Sequence, residues 1–347
     1  DALGQLGVVT LERTGFERVL ADQGYDLVFF KYFYPAEARI PLVRIWQPQA
    51  RVVVDSVDLV YARLLAKAEV SGLAADRTEA EKIKAHELAT YTAADMVITV
   101  TEDEARILEA EMPGVPIHVI PNIHDMSSAT RLETPSPSLL FIGAFTHEPN
   151  VDGVLWFVRE IWPKVRSAHP DARLRIVGGN PPPEITALNG NGIDVMGYVP
   201  DTLPFLMESW VSVAPLRFGA GMKGKVGEAM AAGLPVVATS FGAEGFGLIP
   251  GVHLLVADDP MEFAKLVSKL ISGHDLRLRL GIAGHSFIES HYSPAAVSNQ
   301  LTSFTERLTK IVPRQVAFAP IRRLVKYSAL WGERNLLWRL RKKGLTK

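Results

Sequence analysis

A chain of 347 residues, 48% hydrophobic and 22% charged, is long enough for two separate cores and too apolar to be disordered. The lack of cysteine excludes disulfides, thiolate chemistry and cysteine-bound zinc, and no run of eighteen apolar residues marks a membrane-spanning helix. The net charge of −1 hides an uneven spread: from Pro313 to Lys347 ten Lys/Arg face only Glu333, a balance of +9 that leaves −10 on the rest.

In chain order, the first half predicts strands over 25–30 (YDLVFF), 51–56 (RVVVDS), 95–101 (DMVITVT) and 117–120 (IHVI). A long helix is expected over 76–93, with charges on one side and Ile83, Leu88 and Ala89 on the other. The polar stretch 127–138, with two prolines and no periodicity, reads as a linker. Strands follow at 138–143, 173–179, 193–197, 210–216, 234–239 and 253–257, with helices at 152–168 and 259–272 among them. Apolar strands alternating with helices predict an α/β fold with parallel sheets covered on both faces. The chain opens on Asp1 rather than Met, and four strands are few for a doubly wound domain, so the first domain is expected to lack its first strands.

The stretch GAGMKGKVGEAMAAGLPVVAT (219–239) carries the densest signal. It follows a strand and opens a helix near Gly224, where unpaired amides and the helix dipole favour an anion, and Lys223 and Lys225 add full charges. A P-loop reading fails because Val226 stands where a magnesium-binding hydroxyl belongs. A dinucleotide reading fails on position, since three strands of the same half precede the motif.

The stretch instead resembles the donor site of retaining GT-B glycosyltransferases, notably the bacterial family 4 that includes lipopolysaccharide and capsule sugar transferases. FIGAFTHEPNVDGVLWFVREIWP (141–163) is similar to the first βα unit of such a donor domain, RIVGGNPP (175–182) to its second strand and loop, and VMGYVPD (195–201) to its base-binding turn. VIPNIHD (119–125) resembles the segment that closes the acceptor domain, so the likeness spans about residues 20–310. It implies a GT-B fold of two facing Rossmann-like domains. An acceptor-side domain would occupy 1–127, a linker 128–137, a nucleotide-sugar donor domain 138–290, and C-terminal helices with a basic tail 291–347.

The resemblance also assigns roles. Glu228 would hold the ribose hydroxyls, where a carboxylate accepts two hydrogen bonds; otherwise it is an acid favoured at a helix start. Tyr198 and Val199 would face the base, and Gly143 would leave room for the diphosphate. The loop Gly219, Ala220, Gly221, Met222 would line the donor. Where the family has a second glutamate, an arginine and a lysine, this chain has Ala220, Ala144 and Pro149. Arg217, Lys223 and Lys225 are the expected replacements, with Lys223 and Lys225 as the catalytic cations that stabilise the departing diphosphate. No Asp-x-Asp metal motif or cofactor motif is present, which implies metal-independent transfer, with retention implied by the family alone.

On the acceptor side, Asp55, Asp58 and Arg63 follow a strand end and read either as acceptor ligands or as a helix cap and surface charges. Val60 stands where related transferases have histidine. Asn122 reads as a cleft or a loop residue, and His147 and Asn150 either face the donor phosphates or are structural. Segment 294–325 is expected to fold back across the first domain, while 334–347, with Trp338 among basic residues, suits an anionic lipid surface. Nucleic acid is not an expected partner, since no recognition fold accompanies the charge. The expected partners are therefore a nucleotide-sugar donor and a saccharide or lipid-linked acceptor, in the cytoplasm or peripherally on the inner face of the membrane. Two rivals remain: a non-catalytic nucleotide-sugar-binding subunit, suggested by Ala220, and a nucleotide-sugar epimerase.

Overall fold

A computed structural model describes residues 15–126, 134–315 and Lys326. Most of the expected linker and the basic segment 334–347 lie outside these residues.

The N-terminal half runs α1 (Phe16–Asp22), β1 (Leu27–Lys31), α2 (Phe33–Trp46), β2 (Arg51–Asp55), α3 (Val60–Ser71), α4 (Ala74–Ala93), β3 (Met96–Thr99), α5 (Glu102–Glu111) and β4 (Ile117–Val119). Its strands form a parallel sheet in the order β1-β2-β3-β4. Val52, Val53 and Val54 are buried on both faces of β2, which is why that strand reads as an unbroken β-branched run. Helix α4 departs from the expected amphipathicity: Ala89 is exposed, whereas Glu87 is fully buried beside Tyr91.

The second half runs β5 (Ser138–Ile142), α6 (Glu148–Trp156), a π-helical turn (Phe157–Ile161), α7 (Trp162–Ala168), β6 (Arg173–Val177), α8 (Pro183–Thr186), β7 (Ile193–Gly197), α9 (Leu203–Glu208) and β8 (Val211–Ala214). Then come α10 (Gly224–Ala231), β9 (Val236–Ala238), α11 (Ser240–Ala243), β10 (Leu255–Val256), α12 (Pro260–Ser272), α13 (His274–Tyr292) and α14 (Pro294–Lys310). The helix expected at 152–168 starts earlier, with Pro149 in its first turn, and is interrupted by the π turn just before Pro163, which has no amide hydrogen for an α-helical ladder. The sheet is parallel in the order β10-β9-β8-β5-β6-β7. Its winding reverses between β5 and β8, so their carboxyl ends open a crevice where open α/β sheets place ligands.

Helix α14 returns to the N-terminal half, packing Phe304 and Leu308 against Val53, Met96 and Ile98. Arg51 donates from Nε to the Ile311 carbonyl at 3.0 Å and from Nη2 to that of Thr309 at 2.8 Å, fixing the end of this return. No helix among the described residues is long and apolar enough to cross a membrane.

Candidate active site

The crevice is built from loops after β5 and β8. Gly178 cannot carry a Cβ, which would stand 2.0 Å from the Gly143 carbonyl oxygen. Gly143 is glycine because Asn150 lies over it: a Cβ there would meet Asn150 Nδ2 at 2.7 Å. Asn150 thus packs where a side chain at position 143 would stand. That side chain, 4% exposed, donates from Nδ2 to the Ala144 carbonyl at 2.7 Å and accepts from Lys225 Nζ at Oδ1.

Lys225 also lies over the Phe141 ring, 4.8 Å from its centroid. Burial first, and the Lys223 ammonium second, bring its pKa down to about 7. Lys223, 6% exposed, donates to the Gly221 carbonyl at 2.9 Å and lies 3.5 Å from Glu244. Burial lowers its pKa as well, opposed by the carboxylates of Glu244, Glu104 and Asp58. The last two belong to the other half, so Lys223 faces across the cleft. Neither ammonium points into bulk water. Arg217 differs from expectation: its guanidinium forms a fork on Asp152, with Nε 2.8 Å from Oδ2, which commits it within its own domain.

Gly219 and Ala220 are partly buried in the loop, and Gly221 has a left-handed backbone at φ 66°. A Cβ at Gly221 would lie 3.2 Å from Asp58 Cβ and 3.3 Å from the Val57 carbonyl oxygen, so this loop abuts the N-terminal half. Met222 is buried and accepts at Sδ from the Asn122 amide at 3.4 Å, which places Asn122 at the junction of the halves. Glu228 accepts from the Thr202 hydroxyl. With Thr202, Gly224, Asn122 and His124 it lines a cavity of about 670 Å³ between the closing segment 122–126 and helix α10. Tyr198 is 77% exposed on the turn after β7, while Val199 packs partly into the core below.

On the opposite wall, the Val57 amide donates to Asp55 Oδ1 at 3.0 Å, and burial raises the Asp55 pKa. Asp58 pairs with Arg63 at 2.8 Å. His147 precedes α6; burial, then the charges of Arg63 and Lys225, lower its pKa. The structure therefore brings Asp58, Arg63, His147, Lys223 and Lys225 to one cleft, with Asn150 beneath.

Two further carboxylates emerge here. Helix α3 has Leu59 at its N-cap, with no side-chain cap of its own. Instead Glu87 accepts from the amides of Val60 at 3.1 Å and Tyr61 at 2.9 Å, and Glu104 accepts from Leu59 at 3.1 Å. Both are buried, which raises both pKa values, that of Glu104 to about 7. Glu104 had a local signal, since Thr101-x-x-Glu104 has the capping-box spacing at the start of α5, where the Glu104 amide donates to the Thr101 hydroxyl and that hydroxyl donates to the Glu104 carboxylate. Glu87 had none, because its burial depends on how α4 packs against α3. Among the described residues no group of three or more His, Asp or Glu could hold a metal ion.

With this geometry the fold is GT-B, two Rossmann-like α/β domains facing one another across a cleft. Residues 136–273 match the family model described as Glycosyl transferases group 1. The chain is 29% identical over 221 residues, 60% of its own length, to an uncharacterised 44.6 kDa protein in the cps region of Klebsiella pneumoniae. That match spans 55% of the relative, so the chain covers about half of the curated protein it resembles. Among solved structures, it is similar to sucrose-phosphate synthase from Thermosynechococcus elongatus (TM-score 0.66, 19% identity, 85% of this chain and 76% of that one). It is also similar to a glycosyltransferase from Rickettsia africae (TM-score 0.64, 13% identity, 89% and 87%). A third is Anabaena HepE in complex with UDP and glucose (TM-score 0.60, 15% identity, 90% and 83%). These structural likenesses show the fold.

Proposed function

We propose that the chain moves a sugar from a nucleotide-diphosphate donor to a hydroxyl of a glycan or lipid-linked acceptor, with retention and without a metal ion. The observation that carries this reading is the pair Lys223 and Lys225 at the start of α10, inside the matched segment and at the reversal point of the sheet. As the bond from the sugar's anomeric carbon to the phosphate oxygen opens, its electron pair passes to the diphosphate. The two ammonium groups at the start of α10 stabilise that growing charge. The oxygen of an acceptor hydroxyl then bonds to the anomeric carbon on the face the diphosphate leaves, and its proton passes to the departing phosphate oxygen. Glu228 would exchange its Thr202 partner for the ribose diol, and Tyr198 would cover the base.

The cps-region relative favours a role in surface-polysaccharide synthesis, and the UDP-bound structure of HepE favours a nucleotide-sugar donor. A cytoplasmic site of action, peripheral on the membrane through 334–347, belongs to the same reading. Nucleotide release and sugar transfer measured across UDP-, GDP- and dTDP-sugars, with and without glycan acceptors, test it, and NMR of the product's anomeric proton tests retention. Release of nucleotide with sugar transferred supports the proposal. Ala220 motivates the second reading, a non-catalytic subunit, which tight nucleotide-sugar binding without transfer or hydrolysis would favour. Conversion of the donor sugar without acceptor would indicate an epimerase.

A further inference from the structure

Glu244 stands in the turn after α11, whose backbone is pinned on both sides. The Thr239 hydroxyl donates to the Leu216 carbonyl and accepts from the Gly242 amide at 3.0 Å, which ties α11 to the loop that leaves β8. Gly245 has a left-handed backbone at φ 94°, and a Cβ there would stand 3.0 Å from both the Gly221 carbonyl oxygen and Met222 Cα. Phe246 is buried, and its carbonyl accepts from the Tyr292 hydroxyl at 2.8 Å. The Glu244 side chain, by contrast, is 51% exposed, and among the described residues its carboxylate meets only Lys223 Nζ, at 3.5 Å. Lys223 is buried and also donates to the Gly221 carbonyl, within the same donor loop.

Backbone contacts already hold the turn, and a half-exposed ion pair of this length adds little to stability. Its consequence lies in binding, because a diphosphate on Lys223 puts one cation between two anions. An anionic oxygen bonded to the same ammonium at ~2.8 Å would stand no more than ~6.3 Å from the carboxylate, close enough to be repelled. That repulsion differs between substrate and product. In a nucleotide-sugar each phosphate is esterified on both sides and carries one negative charge. Once the sugar has left and the acceptor's proton has passed on to water, the terminal phosphate has a second ionisation with a pKa of about 6. The product therefore carries close to one charge more than the donor at neutral pH. Two lysines alone would hold that product the more tightly, and Glu244 is the group that opposes them.

We infer that Glu244 is the resident counter-ion of Lys223: it swings into solvent when the donor diphosphate arrives, then competes for the ammonium and helps to expel the nucleoside diphosphate. This rests on the glycosyltransferase reading and adds product release to it. The test is titration calorimetry of the full chain, wild type and Glu244→Gln, with UDP, GDP and dTDP and with their β-phosphate methyl esters, which carry the donor's charge without a sugar. Whichever diphosphate binds wild type should bind Glu244→Gln about fivefold more tightly or better, and its methyl ester should gain only about twofold. Glu244→Ala should change affinity in the same direction. The side chain is exposed and the turn is held by its backbone, so both variants should fold. A carboxylate that merely braced the loop would give the opposite sign. Unchanged or weaker diphosphate binding in either variant, an equal or larger gain for the ester, or an ester that binds neither protein would overturn the proposal. Failure of all three diphosphates to bind wild type would instead overturn the donor reading on which it stands, and so the two failures are told apart.

Discussion

Among the described residues Lys225 has no carboxylate partner: its ammonium rests on the Asn150 amide oxygen and the Phe141 ring, and its pKa falls to about 7. In the free protein it is charged below that value and neutral above it. A bound diphosphate stabilises the charged form and raises the pKa, so binding must take up protons wherever the free lysine is partly neutral. Calorimetry in two buffers of different ionisation enthalpy should show uptake of a fraction of a proton near pH 8, with affinity falling from about pH 7 to 9. Loss of that uptake in Lys225→Ala checks the assignment; uptake that persists would place the titrating group elsewhere. The lysines were legible because spacing to a helix start is local information. Arg217 was misread because Asp152, which captures it, is 65 residues away, on a helix brought alongside only when β5 pairs with β8. Asn150 was placed in the cleft, but its grip on Lys225 depends on the same pairing.

Helix α3 shows how an element can be stabilised by residues its own sequence does not contain. Its first turn lacks a capping side chain, and buried Glu87 and Glu104 serve instead. Because Glu104 titrates near pH 7 in the folded chain and near 4.5 when exposed, the folded state binds the extra proton between these values. Stability should therefore fall as pH rises through that window, by at most about 1.4 kcal/mol per pH unit from this group. Urea denaturation between about pH 5 and 7 should show a flatter slope for Glu104→Gln than for wild type; an unchanged slope would mean the carboxyl is ionised throughout. The ten strands were readable as apolar runs, although most were expected one or two residues too wide at an end, while β7 matched and β1 was expected to end one residue early. Neither the π turn in the long helix nor the buried face of α4 could be read from local pattern, since each is settled by what packs against it.

At the scale of the whole molecule, specific contacts join the two halves besides the return of α14. Lys67 pairs with Glu148 at 2.9 Å across the cleft, the Gly221 loop abuts Asp58, and the His124 amide donates to the Tyr292 carbonyl at 2.9 Å. Gly227 permits the closest approach: a Cβ there would stand 2.3 Å from His124 Nε2. Gly227→Ala should therefore force the closing segment away from α10 and weaken nucleotide binding about tenfold or more, by displacement next to Glu228. Adding His124→Ala should recover much of the loss, a coupling that separates this contact from a general loss of stability. The two-domain plan was legible from the alternation of strands and helices, whereas these junctions join residues about 80 to 170 positions apart and had no local signature. The claim on which the functional account turns is that the cleft between the halves holds a nucleoside diphosphate on the lysines of α10. Titration calorimetry with UDP, GDP and dTDP is its most direct test. The account predicts that at least one binds wild type with a single site, that Lys225→Ala weakens it tenfold or more, and that the corresponding nucleoside is little affected. Equal affinity of the variant and wild type for that diphosphate, or no binding of any of the three, would contradict it.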